Sequence, residues 1–272
     1  MINVIKQSFN YTNKYIILAT PLILFSLISS LYVMFSVNGS IINAIIALFL
    51  FFLMISAFLS GWFYMISNVV KEEEDEPNSL LKIFPAGVGE YMLPVVGMIF
   101  NILLISFAFI AISYFVGMKF IGSTGISPEA FAKALESTAL LKAFVASLTE
   151  EQLIKLNCWN LLILFTLAFM YFMVVFYPPV LFLKTKNPFR ALFICVKDLF
   201  CRKFFKNILM YLILFVSYFT ISLFANLSAV NPILYFIFTL INFYYLVLAG
   251  IFVFNYYYLN YIKIGSNIDT TV

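Results

Sequence analysis

The sequence predicts an all-α membrane protein with six transmembrane helices. Of its 272 residues, 64% are hydrophobic and only 10% are charged, whereas soluble domains are about 45–50% apolar and about 25% charged. The apolar residues form six long stretches, each long enough for the ~20 residues that cross a bilayer. They show no alternation with polar residues, which a transmembrane β-barrel requires. These observations exclude a soluble domain, a disulfide scaffold, a disordered chain and a nucleic-acid-binding protein.

The six predicted spans contain no Asp, Glu, Lys or Arg in their interiors. They lie at residues 15–35, 41–70, 91–117, 157–183, 208–227 and 232–262. Short uncharged turns join the first span to the second and the fifth to the sixth, so that each pair is predicted to form a tight hairpin. The whole chain, residues 1–272, is therefore predicted to be a single six-span membrane domain.

Proline residues give the expected ends of several spans. Pro21 and Pro94 are expected in the first turns of the first and third spans, where a missing backbone N–H costs little. Pro178 and Pro179 are expected to bend or end the fourth span, because each removes a hydrogen bond from the helix interior.

The long external loop, residues 118–156, carries helix signals of its own. Ser127 is a suitable N-cap for one helix with apolar residues as far as Leu148. Residues 149–152 have the pattern of a capping box that leads directly into the fourth span. We expect a helix that covers the spans, with a lid or a partner surface as the functional alternatives.

The orientation follows from the distribution of Lys and Arg, which concentrate in cytoplasmic loops. Twelve of the 16 cations lie on the side of the two chain termini, and seven of those lie between the fourth and fifth spans. The other four lie in the external loop. Both termini are therefore predicted to be cytoplasmic, in the cytoplasmic membrane of a prokaryote.

A repeated unit is also predicted. Before the first, third and fifth spans, the chain carries a segment of mixed apolar and basic residues. Lys6 and Lys82 each precede a tyrosine, Tyr15 or Tyr91, by nine residues. We interpret the pattern as three copies of a cytoplasmic interfacial helix followed by a two-span hairpin. A basic flank before any hairpin would give a similar pattern.

Residues 187–206 are predicted to form an amphipathic helix in the membrane interface. Asn187 suits the N-cap and Pro188 the first helical position. Apolar residues recur at three- and four-residue steps, as one stripe of a helix: Phe189, Leu192, Phe193, Val196, Leu199, Phe200 and Phe204. Five cations outside this stripe are the candidate contacts to anionic lipid or an acidic partner: Arg190, Lys197, Arg202, Lys203 and Lys206. The topology signal alone is the alternative reason for basic residues here.

Five consecutive acidic residues, 72–76, follow Lys71 on the predicted cytoplasmic side. They lack the spaced ligands and the turn glycine of a calcium-binding loop. A solvated connector is the expected role. A divalent-cation site and a clamp onto the basic loop between the fourth and fifth spans are the alternatives.

The polar residues form no recognisable catalytic set. The sequence has no histidine, which removes HExxH metal sites and the usual acid–base group near neutral pH. Its three aspartates lie far apart, and no GxSxG, Walker or GxGxxG motif is present. We therefore expect neither enzymatic activity nor a cofactor.

The predicted function is that of a non-catalytic integral membrane protein. Residues 187–206 would contact membrane lipids, anionic ones in particular, or a membrane protein partner. The alternative is a permease, or a carrier of lipid or another apolar molecule, with a cavity between the spans. No span carries the ionisable residue typical of proton- or sodium-coupled transport.

Two stretches, FPAGVGEYMLP at residues 84–94 and KNPFRAL at residues 186–192, carry a family resemblance. They resemble poorly characterised prokaryotic six-span proteins, among them the membrane domain found ahead of glycerophosphodiester phosphodiesterase domains. The likeness covers nearly the whole chain as a pattern of spans and basic flanks. It implies a membrane role with no assigned chemistry, and the hydrolase activity is not carried over, because no stretch of this sequence corresponds to the catalytic domain.

A reporter fused after Val272 tests the predicted orientation. We expect a fused β-galactosidase to be active and a fused alkaline phosphatase to be inactive, because the C-terminus is predicted to be cytoplasmic. The same two reporters inserted at Gly125, in the external loop, should give the opposite pair of activities. An active phosphatase after Val272 would contradict the orientation.

Overall fold

The computed structural model describes residues 1–36, 41–73, 76–200, 203–228 and 231–263. Within these ranges the regular structure is helical and contains no strand. Six helices there are long and apolar enough to cross a membrane: Ile16–Met34, Ile41–Lys71, Leu80–Phe120, Glu150–Leu183, Phe204–Phe224 and Pro232–Ile262. The predicted fold class, an all-α multi-pass membrane protein, is confirmed.

The α-helices of the described ranges are numbered in chain order. They are α1 (Ile2–Lys14), α2 (Ala19–Ser36), α3 (Ile41–Lys71), α4 (Leu80–Phe120), α5 (Pro128–Ala134), α6 (Thr138–Ser147), α7 (Glu150–Leu183), α8 (Pro188–Phe200), α9 (Phe204–Ser228) and α10 (Pro232–Tyr257). Short 3₁₀ turns precede α2 and α4, and a π-helical turn, Tyr258–Ile262, extends α10.

The helices that contain the third and fourth spans are longer than predicted. Helix α4 has 41 residues, or about 60 Å at 1.5 Å per residue, and begins well before residue 91. Pro94 therefore lies inside α4, so its predicted place in a first turn is wrong. Pro178 and Pro179 also lie inside α7, which continues to Leu183. Neighbouring helices and local adjustments make such prolines tolerable in transmembrane helices.

The chain packs as two compact units. Unit 1 comprises Met1–Asn101 and Val174–Val272, and unit 2 comprises Ile102–Met173. In unit 2, the Ser113 and Thr166 hydroxyls are hydrogen-bonded at 2.6 Å. This bond joins the parts of α4 and α7 that belong to unit 2.

The long loop of unit 2, which is predicted to be external, forms two helices where one was predicted. Ser127 caps α5 as expected, but Ser137 is a second N-cap, whose hydroxyl accepts a hydrogen bond from the Leu140 amide at 3.2 Å. The second cap starts α6 as a separate helix. The predicted capping box is confirmed, since Thr149 and Gln152 exchange side-chain to backbone hydrogen bonds of 3.0 and 3.3 Å.

Aromatic rings from four helices form the core of unit 1. Tyr91 of α4 stacks on Phe182 of α7, with ring centroids 4.4 Å apart. Phe63 of α3 contacts both Phe182 and Phe254 of α10, at 5.7 and 5.6 Å. Such ring pairs add about 0.5–1.5 kcal/mol each beyond their burial.

Two of the three predicted interfacial segments are separate helices, α1 and α8, each of 13 residues. The third segment is the beginning of α4, and its packing on α3 explains the difference. A Cβ at Gly61 would lie 2.6 Å from the Phe84 ring, and one at Gly87 would lie 2.6 Å from Tyr64 Cβ. Because each glycine accommodates an aromatic side chain of the other helix, the start of α4 stays against α3.

The close approach of α3 and α4 is tested by Gly87→Ala, with Gly89→Ala as the matched control. We expect Gly87→Ala to destabilise the protein by about 1–3 kcal/mol, because the new methyl group overlaps Tyr64. A Cβ at Gly89 would meet no atom within 4 Å, so Gly89→Ala should stabilise the helix by about 0.5–1 kcal/mol. Thermal unfolding of both variants in one detergent measures this. Shifts of the same sign and size would contradict the packing.

Candidate functional site

Helix α8 has the predicted start and an earlier end than predicted. The Asn187 Oδ1 atom accepts a hydrogen bond from the Arg190 amide at 3.1 Å, so Asn187 is the N-cap. The helix ends at Phe200, and α9 begins at Phe204. The predicted continuous helix over residues 187–206 is therefore wrong.

Contacts with α4 and α7 fix the beginning of α8. The Tyr177 hydroxyl donates to the Pro188 carbonyl at 2.6 Å and accepts from the Asn101 amide at 2.8 Å. A Cβ at Gly97 would lie 2.6 Å from the Pro188 ring. Only a glycine therefore allows α4 to approach α8 this closely at that point.

The predicted apolar stripe divides into two different faces. Ala191, Cys195 and Leu199, which follow one another at four-residue steps, are completely buried against the protein. Roughly opposite them, at about 100° per residue, four residues form an exposed ridge: Phe189, Phe193, Val196 and Phe200. Phe193 is 74% exposed. We call these four residues the phenylalanine ridge.

The structure describes four of the five candidate cations and places them in three different surroundings. Arg190 and Lys197 are exposed on α8 beside the phenylalanine ridge, and neither forms a salt bridge with any residue that the structure describes. Lys206 is exposed in the first turn of α9. Arg202 lies outside the described residues.

Lys203, the remaining candidate, faces the protein. Its ammonium donates to the Asn260 carbonyl at 2.5 Å and lies 5.2 Å from the centre of the Tyr261 ring. Burial, followed by the charge of Lys206, lowers the pKa of Lys203. Lys203 therefore holds the residue before α9 against the end of α10, and its ammonium is not among the exposed cations.

Asp198 is the acceptor that holds the C-terminal part of α8 in place. Its Oδ2 atom accepts from the Tyr257 hydroxyl at 2.6 Å and from the Lys184 ammonium at 3.1 Å. Its backbone carbonyl accepts from the Tyr261 hydroxyl at 3.0 Å. These bonds join α8 to α7 and to the C-terminal end of α10.

Asn207 at the start of α9 completes the same network. Its side-chain amide donates to the carbonyls of Asp198 and Leu199, both at 3.1 Å. Its Oδ1 atom accepts from the Tyr256 hydroxyl at 2.8 Å. It also lies 2.9 Å from the Tyr261 hydroxyl, whose single proton it shares with the Asp198 carbonyl. The amide thereby satisfies two carbonyls in the last turns of α8, which have no partner within the helix. We call the hydrogen-bonded group of Asp198, Asn207 and these tyrosines the Asp198–Asn207 network.

The thiol of Cys195 is enclosed between α8 and the rest of unit 1. It is completely buried and is not in a disulfide. Burial raises the pKa of this thiol, with a smaller contribution from Asp198. A protonated, buried thiol reacts slowly, so its reactivity reports whether α8 stays in place.

The acidic segment is used partly for contacts within the protein. Glu72 accepts a hydrogen bond of 2.5 Å from the Tyr11 hydroxyl, and Glu73 lies 3.7 Å from Lys71. Burial and the bond to Glu72 raise the pKa of Tyr11 to about 12. Residues 74 and 75 lie outside the described residues. Within the described ranges no three His, Cys, Asp or Glu residues could hold a metal ion together.

A groove lies between α2, α3, α9 and α10, entirely within unit 1, with a volume of about 670 Å³. It is lined by hydroxyl and amide groups as well as by aromatic rings. This is a cavity between spans, of the kind that the carrier alternative requires.

The sequence interpretation missed the Asp198–Asn207 network. Tyrosines such as those at 256–258 and 261, which lie beside Lys263 at the end of a span, usually form an interfacial aromatic belt, so their presence alone does not indicate hydrogen bonds to α8. The sequence signal for this network is Asp198, an acidic residue next to Leu199 of the apolar stripe in an otherwise basic segment. A carboxylate there needs donors, and the Tyr257 hydroxyl and the Lys184 ammonium supply them.

Tyr257→Phe tests whether the network holds α8, with Tyr258→Phe as the matched control. Tyr257 is buried and donates to Asp198, whereas the Tyr258 hydroxyl makes no hydrogen bond to any described residue. Loss of the Tyr257 hydroxyl should cost about 1–3 kcal/mol of stability and speed maleimide labelling of Cys195 several-fold, as measured by peptide mass spectrometry. Equal labelling rates in the two variants would contradict the role of the network.

Comparison with known proteins identifies no relative of this chain. No protein-family model, no curated protein sequence and no solved structure matches the chain. The resemblance to prokaryotic six-span proteins stays a prediction, and the function has to be argued from the geometry of α8 and the groove.

Proposed function

We propose that this integral membrane protein binds anionic lipid through α8 and does so without catalysing a reaction. The observation that carries the proposal is the outward phenylalanine ridge with Arg190 and Lys197 beside it. A helix with this division of residues lies in the membrane interface, with its apolar face among acyl chains and its cations at the head groups.

The rigid attachment of α8 supports the proposal. The Asp198–Asn207 network and the Tyr177–Pro188 bond fix the rotation of the helix. The two cations are therefore held at the edge of the ridge, and binding a lipid phosphate requires little rearrangement. Each cation near an anionic surface contributes about 1 kcal/mol.

The positive-inside rule puts this surface at the cytoplasmic leaflet of a prokaryotic cytoplasmic membrane. In this proposal both termini lie on the same side as α8. Anionic lipids of that leaflet can bind without a protein partner, although a membrane protein with an acidic surface would satisfy the same cations.

A second candidate function is a carrier of lipid or another apolar molecule. The groove between α2, α3, α9 and α10 favours it, since a carrier needs a cavity that is accessible within the membrane. Binding at α8 and binding in the groove concern different residues and can be tested separately.

The lipid preference of reconstituted protein tests the role of α8. Spin-labelled phosphatidylglycerol should associate more strongly than spin-labelled phosphatidylcholine, as measured by the motionally restricted fraction. The double variant Arg190→Gln, Lys197→Gln should lower this selectivity by up to about fivefold per cation, which corresponds to about 1 kcal/mol each.

The double variant Lys119→Gln, Lys142→Gln is the matched control, because it removes the same charge from unit 2. It should leave the selectivity unchanged. Equal loss in both double variants would indicate a general charge effect, and unchanged selectivity in the α8 variant would refute the proposal.

A further inference from the structure

The groove between α2, α3, α9 and α10 has two polar residues, Ser29 and Asn242, that lie within candidate membrane spans. Ser29 follows the start of α2 by ten residues, and Asn242 follows the start of α10 by ten residues. At 1.5 Å per residue, both side chains are about 15 Å along their helices, or half of a hydrocarbon core of about 30 Å. The groove volume of about 670 Å³ falls within the range of about 300–1,000 Å³ for small-molecule sites.

The groove is polar but uncharged. Its hydrogen-bonding residues are Ser26, Ser29, Ser30, Tyr218, Ser222, Tyr235, Thr239 and Asn242. No Asp, Glu, Lys or Arg of the described chain lines it. A charged group would be held there without a counter-charge in a medium of low dielectric constant, which is strongly unfavourable. The chemistry of the lining therefore selects a neutral ligand.

Two polar groups of the groove have no hydrogen-bond partner within the described part of the chain. The Ser29 Oγ atom is buried and unpaired, and the Asn242 side chain makes no hydrogen bond to any described residue. Polar groups in hydrocarbon without a partner are costly, so membrane proteins satisfy them internally or with a ligand or water.

The other hydroxyls of the groove still have accepting capacity. Ser30 and Thr239 donate to the carbonyls of Ser26 and Tyr235 in their own helices, at 2.8 and 2.9 Å. Their lone pairs remain available as acceptors. Since Ser29 and Asn242 can also donate, the complementary ligand group is one that both donates and accepts, as the hydroxyl of a neutral lipid does.

We propose that this groove binds a neutral, hydroxyl-bearing lipid such as a monoacylglycerol. The hydroxyls of the lipid would pair with Ser29 and Asn242, and its acyl chain would lie along the aromatic part of the lining, which includes Phe25, Phe51 and Phe58. The site goes beyond the proposed function of α8, because its ligand is uncharged and none of its lining residues belongs to α8.

Photolabelling of the full-length protein in phosphatidylcholine nanodiscs tests the site. The probe is a monoacylglycerol with a diazirine in its acyl chain, and labelled peptides are identified by mass spectrometry. Labelling is expected on α2, α3, α9 and α10. Unlabelled monoacylglycerol should compete at least tenfold better than its di-O-methyl ether, which cannot donate hydrogen bonds.

Asn242→Leu should lower labelling at least fivefold, since it removes the amide and fills part of the groove. Asn160→Leu on α7, an exposed position outside the groove, is the matched control and should leave labelling unchanged. Ser29→Ala is the milder variant if Asn242→Leu does not elute as a monodisperse protein, and it should lower labelling at least twofold.

Several results would overturn the proposal. One is an equal degree of labelling in the groove variants and in the Asn160→Leu control, and another is equal competition by monoacylglycerol and its ether. The others are labelling confined to helices outside the groove and occupation of the groove by a second copy of the chain. The double variant Arg190→Gln, Lys197→Gln should label like the unmodified protein, so the failure of one proposal is distinguishable from the failure of the other.

Discussion

The rotation of α8 about its own axis is the feature on which the functional surface depends, and the Asp198–Asn207 network sets it. Helix α8 is apolar on more than one side, and hydrocarbon is as good a solvent for leucine or phenylalanine as a protein core. Apolar burial alone would leave several rotations close in free energy. Hydrogen bonds are directional, so the bonds to Asp198 and Asn207 select the rotation that directs the phenylalanine ridge outward.

Hydrogen bonds from the C-terminal end of α10 hold both of the short helices α1 and α8. Tyr256 and Tyr257 bond to Asn207 and Asp198 at α8 and α9, while the Asn255 amide donates to the Ser8 hydroxyl of α1 at 3.1 Å. Both helices bury residues at four-residue steps, but α1 buries Ser8 and Thr12 where α8 buries only apolar groups. Each helix carries two cations. The exposed ridge beside those of α8 contains three phenylalanines, whereas α1 exposes one, Phe9, and for that reason we propose the binding of anionic lipid for α8 and not for α1.

The sequence was sufficient for the number of spans, the N-caps Ser127 and Asn187 and the start of α8, because these depend on local composition and periodicity. It was insufficient for the two faces of α8, since Leu199 and Phe193 belong to one apolar stripe in the sequence although one is buried and the other is 74% exposed. The start of α4 could not be predicted from the sequence either. Its continuity depends on the fit of Gly61 and Gly87 to aromatic rings of the facing helix, which no local pattern reveals.

Polar side chains that have a partner within the protein maintain the structure of unit 1, whereas those without one are available for binding. In the Asp198–Asn207 network each of the polar side chains has a partner within the protein, and such satisfied networks rigidify a structure. Arg190, Lys197, Ser29 and Asn242 have none within the described residues. Unpaired groups outside the spans can be solvated by bulk water, whereas those within a span need a ligand or an ordered water. The groove therefore has the stronger physical requirement for a bound molecule, although the cations of α8 are the more evident feature of the sequence.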